Sequence, residues 1–286
     1  MKMTRRSFLK KMLYSCLGLL GLSGSGYYYA RHIEPGMLRK QRYVLKHPKI
    51  PASFNQLNIV QFSDLHLGFN YNLEQFRELT KKIQEETPDL ILFTGDLVDE
   101  PQTYHFSGEL PAILKGLHAP LGKYWIYGNH DHGGYGTDTI KNIMTDGGFT
   151  LLKNDVKSIE KNGEEILLAG LDDIMLGAPN IPGTLGKLDV EKFTILLVHE
   201  PDIADDIKDY PVDVQLSGHS HGGQVRFPLI GSLITPPYGE KYVEGKHLLG
   251  DHMTLYVSRG IGTTRMPYRF LCQPEFSVFT LQNNTP

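Results

Sequence analysis

Five short polar stretches carry residue types that bind metal ions: Asp64-Leu65-His66, Gly95-Asp96-Leu97-Val98-Asp99, Gly128-Asn129-His130-Asp131, the single His199, and Gly218-His219-Ser220-His221. Each alone has an ordinary reading, because Asp, Asn and Gly are turn formers and an isolated histidine is commonly a hydrogen-bonded structural residue. The ordered set is more restrictive. Imidazole mixed with carboxylate suits zinc, manganese or iron, whereas an all-oxygen set suits magnesium or calcium. Two such ions about 3.5–4 Å apart clamp both oxygens of an in-line displacement at phosphorus and bring water towards neutral acidity. No competing nucleophile stands out: the chain has no G-x-S-x-G stretch, and Cys272 has no activating neighbour in sequence.

Such ligands need rigid supports, and the sequence supplies them. Residues 57–62, 90–94, 124–127, 193–198 and 212–216 are short apolar runs that predict buried strands, and each leads directly into one of the five stretches. Asn72 is placed to cap a helix whose Leu73, Phe76, Thr80 and Ile83 share one face and which Pro88 ends. Ile140, Ile143 and Met144 mark another helix. Residues 149–153 and 156–172 read as β-structure, the latter with a hairpin turn at Asn162-Gly163. After Gly222 the pattern is mostly β, with strands expected at 224–227, 241–248, 253–258 and 276–281. Strands alternating with helices predict an α/β fold, and ligands at the carboxyl ends of strands are where open α/β sheets bind them.

The motif series D-x-H, GD-x-x-D, GNH[DE], H and GH-x-H, present in order from Asp64 to His221, resembles that of the calcineurin-like metallophosphoesterases; with the twin-arginine stretch at residues 4–10 and the later GGQVRFP and Pro-Glu stretches, the sequence looks most like their exported bacterial YkuE/YaeI-type members. The resemblance implies a four-layer α/β/β/α sandwich with two mixed β-sheets and a binuclear metal site at strand carboxyl ends. It implies Asp64, His66 and His221 on one divalent ion and Asn129, His199 and His219 on the other, with Asp96 bridging. His130 would stabilise the phosphoryl oxygens or protonate the leaving oxygen, oriented by Asp131, and Asp99 would support the ligands from behind. The implied activity is hydrolysis of phosphate mono- or diesters by metal-bound hydroxide, with two ions of manganese, zinc or iron. Two alternatives stay open: a pyrophosphohydrolase of a nucleotide-linked lipid or sugar, and a non-catalytic metal-binding scaffold. Of Arg226, Arg265 and Arg269, Arg269 is the first choice for anchoring a substrate phosphate. Residues 175–186, MLGAPNIPGTLG, read as a loop packed on the core in preference to a lid.

The first thirty residues are expected to stand apart. Thr4-Arg5-Arg6-Ser7-Phe8-Leu9-Lys10 reads as a twin-arginine export signal, followed by an apolar, Gly/Ser-broken segment with Tyr27-Tyr28-Tyr29 near its end. Export by that route predicts contact with the twin-arginine translocase and an extracytoplasmic location, whether periplasm, cell wall or membrane-associated. The small residues nearest a cleavage site lie around Ala30, and a retained anchor is the other outcome. Residues 31–55 read as a basic linker and 56–286 as the catalytic domain. Five basic residues in positions 1–11 leave 24 basic against 32 acidic ones, a balance of −8, which argues against a nucleic-acid partner. Cys16 and Cys272 are the only cysteines, so the domain after the signal has no internal disulfide.

Overall fold

The computed structural model describes residues 5–132 and 137–284, with the side chains of Arg6, Leu13 and residues 16–22 outside that description. Thr4 and the Arg6 side chain, both part of the expected export signal, therefore lie outside the described residues. In chain order the elements are α1 (Arg5–Tyr28), β1 (Arg39–His47), β2 (Asn58–Phe62), α2 (Leu73–Gln84), β3 (Leu90–Phe93), α3 (Glu109–Lys115), β4 (Lys123–Trp125), α4 (Asn129–His132), α5 (Thr137–Asp146) and β5 (Thr150–Leu151). There follow β6 (Asp155–Lys161), β7 (Glu164–Gly170), α6 (Ile181–Leu185), β8 (Thr194–Leu197), α7 (Ala204–Ile207), β9 (Val214–Ser217), β10 (Arg226–Phe227), β11 (Gly231–Ser232), β12 (Gly245–Leu249), β13 (Met253–Val257) and β14 (Glu275–Asn283).

Two six-stranded sheets dominate, in the orders β1-β14-β2-β3-β4-β5 and β12-β13-β9-β8-β7-β6. Both are mixed: β2 to β5 run parallel while β14 is antiparallel to β2, and β7, β8, β9 and β13 run parallel between the antiparallel β6 and β12. Period-two alternation along the buried strands sorts their side chains into three cores. From β2 and β3, Val60, Phe62, Ile91 and Phe93 face α2, α3 and α5, where they meet Phe76, Leu114 and Ile140. Their neighbours Ile59, Leu90 and Leu92 face the opposite sheet and pack with Ile166, Leu168, Ile195 and Leu197. Beyond the second sheet, Leu167, Ala169 and Leu196 pack with Leu185, Ala204 and Ile207 of the short helices. Three cores between four layers give the expected α/β/β/α sandwich.

Local signals act as the sequence predicts at several points. Asn72 caps α2 in a reciprocal box, its Oδ1 accepting from Gln75 N and its own N–H donating to Gln75 Oε1, both at 2.9 Å. The buried face of α2 is Phe76, Leu79 and Ile83, with Thr80 only half-buried. Asn162 and Gly163 both take positive φ, 52° and 80°, as a two-residue turn of the I′ type requires between β6 and β7.

Residues 31–55 are not a linker. Strand β1 pairs parallel with β14 along nine residues, from Arg39↔Glu275 to His47↔Asn283. Its position at the sheet edge accounts for the linker-like sequence: the outer face is exposed and charged, Lys40 and Arg42 both pair with Glu86, and few side chains turn inward. Just before it, Glu34 is fully buried and accepts from Leu271 N at 2.9 Å and from Cys272 N. The carbonyl of Ala30 accepts from Arg269 N at 2.9 Å, so the fold begins where the export segment was expected to end. Glu34→Ala leaves the buried Cys272 N–H and the half-buried Leu271 N–H unpaired and is expected to cost about 1–3 kcal/mol, read as a lower urea midpoint, with Glu34→Gln retaining part of the stability.

Candidate metal centre

The carboxyl ends of β2, β3 and β4 in one sheet meet those of β8 and β9 in the other, and the five polar stretches converge there. The Asp64 and Asp96 turns are bonded to each other through backbone: Asp64 N donates to Gly95 O at 2.9 Å, and Leu65 N and His66 N donate to Asp96 O at 2.8 and 3.2 Å. The second sheet joins through Asp64, whose Oδ1 and Oδ2 accept from His219 N at 3.0 and 3.2 Å. Gln61 ties the sheets beneath the site, its Nε2 donating to Thr94 Oγ1 at 3.0 Å and Ser217 O at 3.2 Å. Asp64, His66 and His221 form one potential ligand group, and Asp64, Asp96 and His199 another.

Five of the seven expected ligands, Asp64, His66, Asp96, His219 and His221, have positive φ between 45° and 69°. Such a backbone costs a non-glycine residue roughly 1–2 kcal/mol, and it turns consecutive side chains inward from a short turn. Two glycines make room for the turns. A Cβ at Gly128 would collide with the Asp96 carboxylate, and one at Gly218 with Ser63 and Asp64.

Three of the imidazoles, His66, His199 and His219, are held with one nitrogen spent and the other facing inward, while His221 keeps a buried Nδ1 without a hydrogen-bond partner. His66 Nδ1 meets Asp99 Oδ1 at 2.8 Å, and its Nε2 lies 3.0 Å from His221 Nε2 and 3.4 Å from Asp96 Oδ2. His199 Nδ1 donates to Thr94 O at 2.6 Å, and its buried Nε2, 3.2 Å from Asp96 Oδ2, has no hydrogen-bond partner. His219 is reversed: Nε2 donates to Pro237 O at 2.8 Å, and Nδ1 lies 3.0 Å from Asn129 Oδ1. His221 Nε2 is 3.5 Å from Asp64 Oδ1. Bonding one ring nitrogen outward fixes the tautomer and leaves the other lone pair for a cation, the usual arrangement of metal-bound histidine. An orphaned buried nitrogen and two imidazole nitrogens set against shared carboxylates fit a pair of divalent ions.

Electrostatics agrees. Burial opposes charge on His199, but the Asp96 and Asp64 carboxylates outweigh it and push its proton affinity well above the ordinary histidine range. Burial works against Asp96 as well, yet His199 and His130 hold it well below the usual carboxylate range. His219 is pushed down to about 4 by burial and then by His199, and His221 well below its ordinary value by burial and then by His66. Both are therefore neutral near pH 7, with lone pairs available.

Two role expectations change. Asp131 does not orient the His130 ring: its buried carboxylate accepts from Asp96 N, Leu97 N and Gly128 N at 2.8–3.0 Å and so shapes the turn that presents Asp96. Burial, then the nearby Asp96 charge, raises it to about 7. The ring is held instead by Asp99, whose carbonyl lies 2.6 Å from His130 Nδ1. Arg269 is fully buried and donates to the carbonyls of Cys272, Arg259, Gly260 and Gly262, which takes it out of reach of a substrate. It supports the Gly260–Gly262 segment, whose Gly262 N donates to Asp64 O at 2.7 Å. Arg226 is engaged by Glu244 at 2.8 Å, and Arg265 is the exposed arginine at the cleft.

The cleft over the centre opens to solvent and joins Asp96, Asn129, His130, His219 and His221 to an apolar wall of Met175, Ile234, Pro236 and Met266. Residues 175–186 thus divide between roles: Met175 lines the cleft, while Leu185 packs in the core as expected. Sequence reasoning missed Thr264, whose Oγ1 donates to Asp99 Oδ1 at 3.0 Å, and the Thr94 and Pro237 carbonyls that fix His199 and His219. Backbone carbonyls leave no residue-type signal.

The calcineurin-like phosphoesterase family profile matches residues 57–223. Over 283 residues, 99% of each chain, the protein is 48% identical to the uncharacterized metallophosphoesterase YkuE of Bacillus subtilis (strain 168). It is 29% identical over 261 residues to the phosphodiesterase YaeI of Escherichia coli (strain K12), covering 91% of this chain and 94% of that one. It is also 29% identical over 306 residues to the UDP-2,3-diacylglucosamine pyrophosphatase LpxG of Chlamydia trachomatis serovar D, covering 87% and 91%. With the profile spanning more than half of the chain and the ligand groups gathered at its strand ends, the chain belongs to the calcineurin-like phosphoesterases, metal-dependent hydrolases of phosphoester bonds.

Proposed function

We propose that the protein hydrolyses phosphate mono- or diesters with two divalent ions, for which Asp64, His66 and His221 would form one ligand set and Asn129, His199 and His219 the other, with the Asp96 carboxylate available to both. The observation that carries this reading is the set of outward-bonded imidazoles, His66, His199 and His219, whose remaining nitrogens meet Asp96 and Asn129, with His221 Nε2 set beside Asp64. Mixed imidazole and carboxylate favours manganese, zinc or iron. Bound there, the ions supply Lewis acidity towards the phosphoryl oxygens and make water acidic enough to attack near neutral pH. The residues divide the remaining work. Asp131 and Gly128 set the Asp96 turn, Asp99 holds His66 and the His130 ring, and His130, with Nδ1 spent on the Asp99 carbonyl, presents Nε2 to a phosphoryl or leaving-group oxygen in the cleft.

The apolar cleft wall and the likeness to LpxG favour a second reading, cleavage of a pyrophosphate in a nucleotide-linked lipid or sugar. We also propose that residues 4–10 direct export by the twin-arginine route and that the protein works outside the cytoplasmic membrane.

Protein loaded with manganese, zinc or iron is expected to hydrolyse bis-p-nitrophenyl phosphate and to lose that activity to a chelator. No activity together with less than one ion per chain would overturn the metalloenzyme reading, no activity with both ions bound would favour the metal-binding scaffold, and preference for a nucleotide diphosphate over simple esters would favour the pyrophosphohydrolase. Asp96→Asn should lower metal content, whereas His130→Ala should keep the metal and lower kcat by about 10²–10⁴-fold. Asp99→Ala, which removes the support behind His66, should cost about 10–100-fold in metal affinity or activity. Equal metal loss in the His130 and Asp96 variants would overturn the role given to His130. For export, residues 1–35 fused to a reporter should lose secretion when Arg5 and Arg6 are both changed to lysine.

A further inference from the structure

The segment 227–238, FPLIGSLITPPY, contains no charged residue. It carries the two-stranded β10–β11 hairpin, paired Arg226↔Ser232 and Phe227↔Gly231 and belonging to neither large sheet. At its tip Leu229 is fully exposed, Ile230 is 71% exposed, and Leu233 and Ile234 follow at 62% and 61%. Single exposed aliphatics are ordinary, but a run of them projecting from one hairpin is not. Leu229 also takes φ 68°, a conformation that turns normally assign to Gly, Asn or Asp. An aliphatic residue there brings neither turn chemistry nor burial within this chain.

The hairpin base is joined to the foot of α1. Phe227 packs on Phe270 with centroids 6.1 Å apart, Phe270 meets the edge of Tyr29 at 6.3 Å, and Tyr27 lies 5.6 Å from Tyr268. The chain leading into that foot is uncharged from residue 12 to 30 and is preceded by five basic residues and no acidic one. Phe8, Leu9, Met12, Tyr27 and Tyr28 on α1 are exposed. Among the described residues no helix is long and apolar enough to cross a membrane. An apolar surface beside aromatic rings and a basic start matches an element lying in a lipid interface with anionic headgroups. An exposed tip of Leu and Ile, without the Trp, Tyr or Arg anchors typical of protein interfaces, suits acyl chains better than a protein pocket. On its inner side the same segment lines the metal cleft through Ile234, Thr235 and Pro236.

We infer that the β10–β11 hairpin inserts its tip, Leu229 and Ile230, together with Leu233 just past β11, into the acyl boundary of a lipid bilayer, seating the metal cleft at the membrane surface. The substrate is then a phosphoester or pyrophosphate carried on a lipid, delivered along the bilayer plane with its apolar part against Ile234, Pro236, Met175 and Met266. The substrate half of this inference rests on the phosphoesterase reading of the metal centre; the docking half does not.

The test uses the full chain with vesicles of phosphatidylcholine and phosphatidylglycerol. Trp125, the single native tryptophan, is fully buried, so in Ile230→Trp a vesicle-dependent blue shift, and quenching by brominated acyl chains, report on the hairpin alone. Both are expected. Leu229→Asp, Ile230→Asp and Leu233→Asp combined should leave hydrolysis of bis-p-nitrophenyl phosphate within about twofold and lower hydrolysis of a vesicle-borne lipid phosphodiester by about tenfold or more. An unshifted, unquenched indole in Ile230→Trp overturns the docking, even with normal activity on the soluble ester. So does a wild-type dimer in sedimentation velocity that the triple variant dissociates while vesicles leave the indole unchanged. Equal losses on soluble and vesicle-borne esters overturn the substrate assignment. Absence of any hydrolysis by metal-loaded wild type instead sinks the phosphoesterase reading and leaves the indole measurement to decide the docking.

Discussion

Two carboxylates, Asp64 and Asp96, are buried where the strand carboxyl ends of two sheets meet, and most of the architecture answers to that constraint. Negative charge out of water is tolerated only with compensating positive charge and hydrogen bonds. Here the immediate neighbours are imidazoles, two of which, His219 and His221, resist protonation because they too are buried. Protonation of His199 offers partial relief, and a pair of divalent ions offers more. The site is therefore organised around cations, and the strain in its backbone is consistent with that. Five expected ligands with positive φ represent conformational energy that the surrounding turns must hold in place.

What holds them is largely main chain. The Asp64 and Asp96 turns exchange backbone hydrogen bonds, Asp131 gathers three N–H groups behind Asp96, and the Thr94 and Pro237 carbonyls fix two histidine tautomers. Arg269 extends the same support one layer further out, clamping the carbonyls of the segment against which Asp64 rests. A buried guanidinium serves this purpose because its donors fan out in a rigid plane and stay charged. The metal centre thus sits on a base of buried polar contacts, with the sheets' apolar cores directly beneath.

Above that base the cleft has two characters. One wall is metal-binding and polar, the other is Met, Ile and Pro. The second wall belongs to segments outside the two sheets, so it can differ among proteins that share the centre without disturbing the sandwich. The N-terminal region shares this side of the molecule: Tyr29 meets Phe270, and Glu34 holds the main chain of Leu271 and Cys272. What precedes the catalytic domain in sequence is thereby part of its structure.

The sequence by itself determined the ligand types, their order, and the strands that carry them, because each ligand lies within a few residues of a buried run whose period is local. It also determined the Asn72 cap and the Asn162-Gly163 turn, which depend on side chains adjacent in sequence. It did not reveal β1, since an edge strand with a charged outer face lacks the apolar alternation of a buried one and gains its stability from β14, more than two hundred residues away. Nor did it separate Arg269 from Arg265, or show that Asp131 serves the Asp96 turn and Asp99 the His130 ring. Those distinctions depend on which backbone groups approach in space. Only the packing of the two sheets brings them together, and a hydrogen bond to a distant carbonyl leaves no mark in the order of residues.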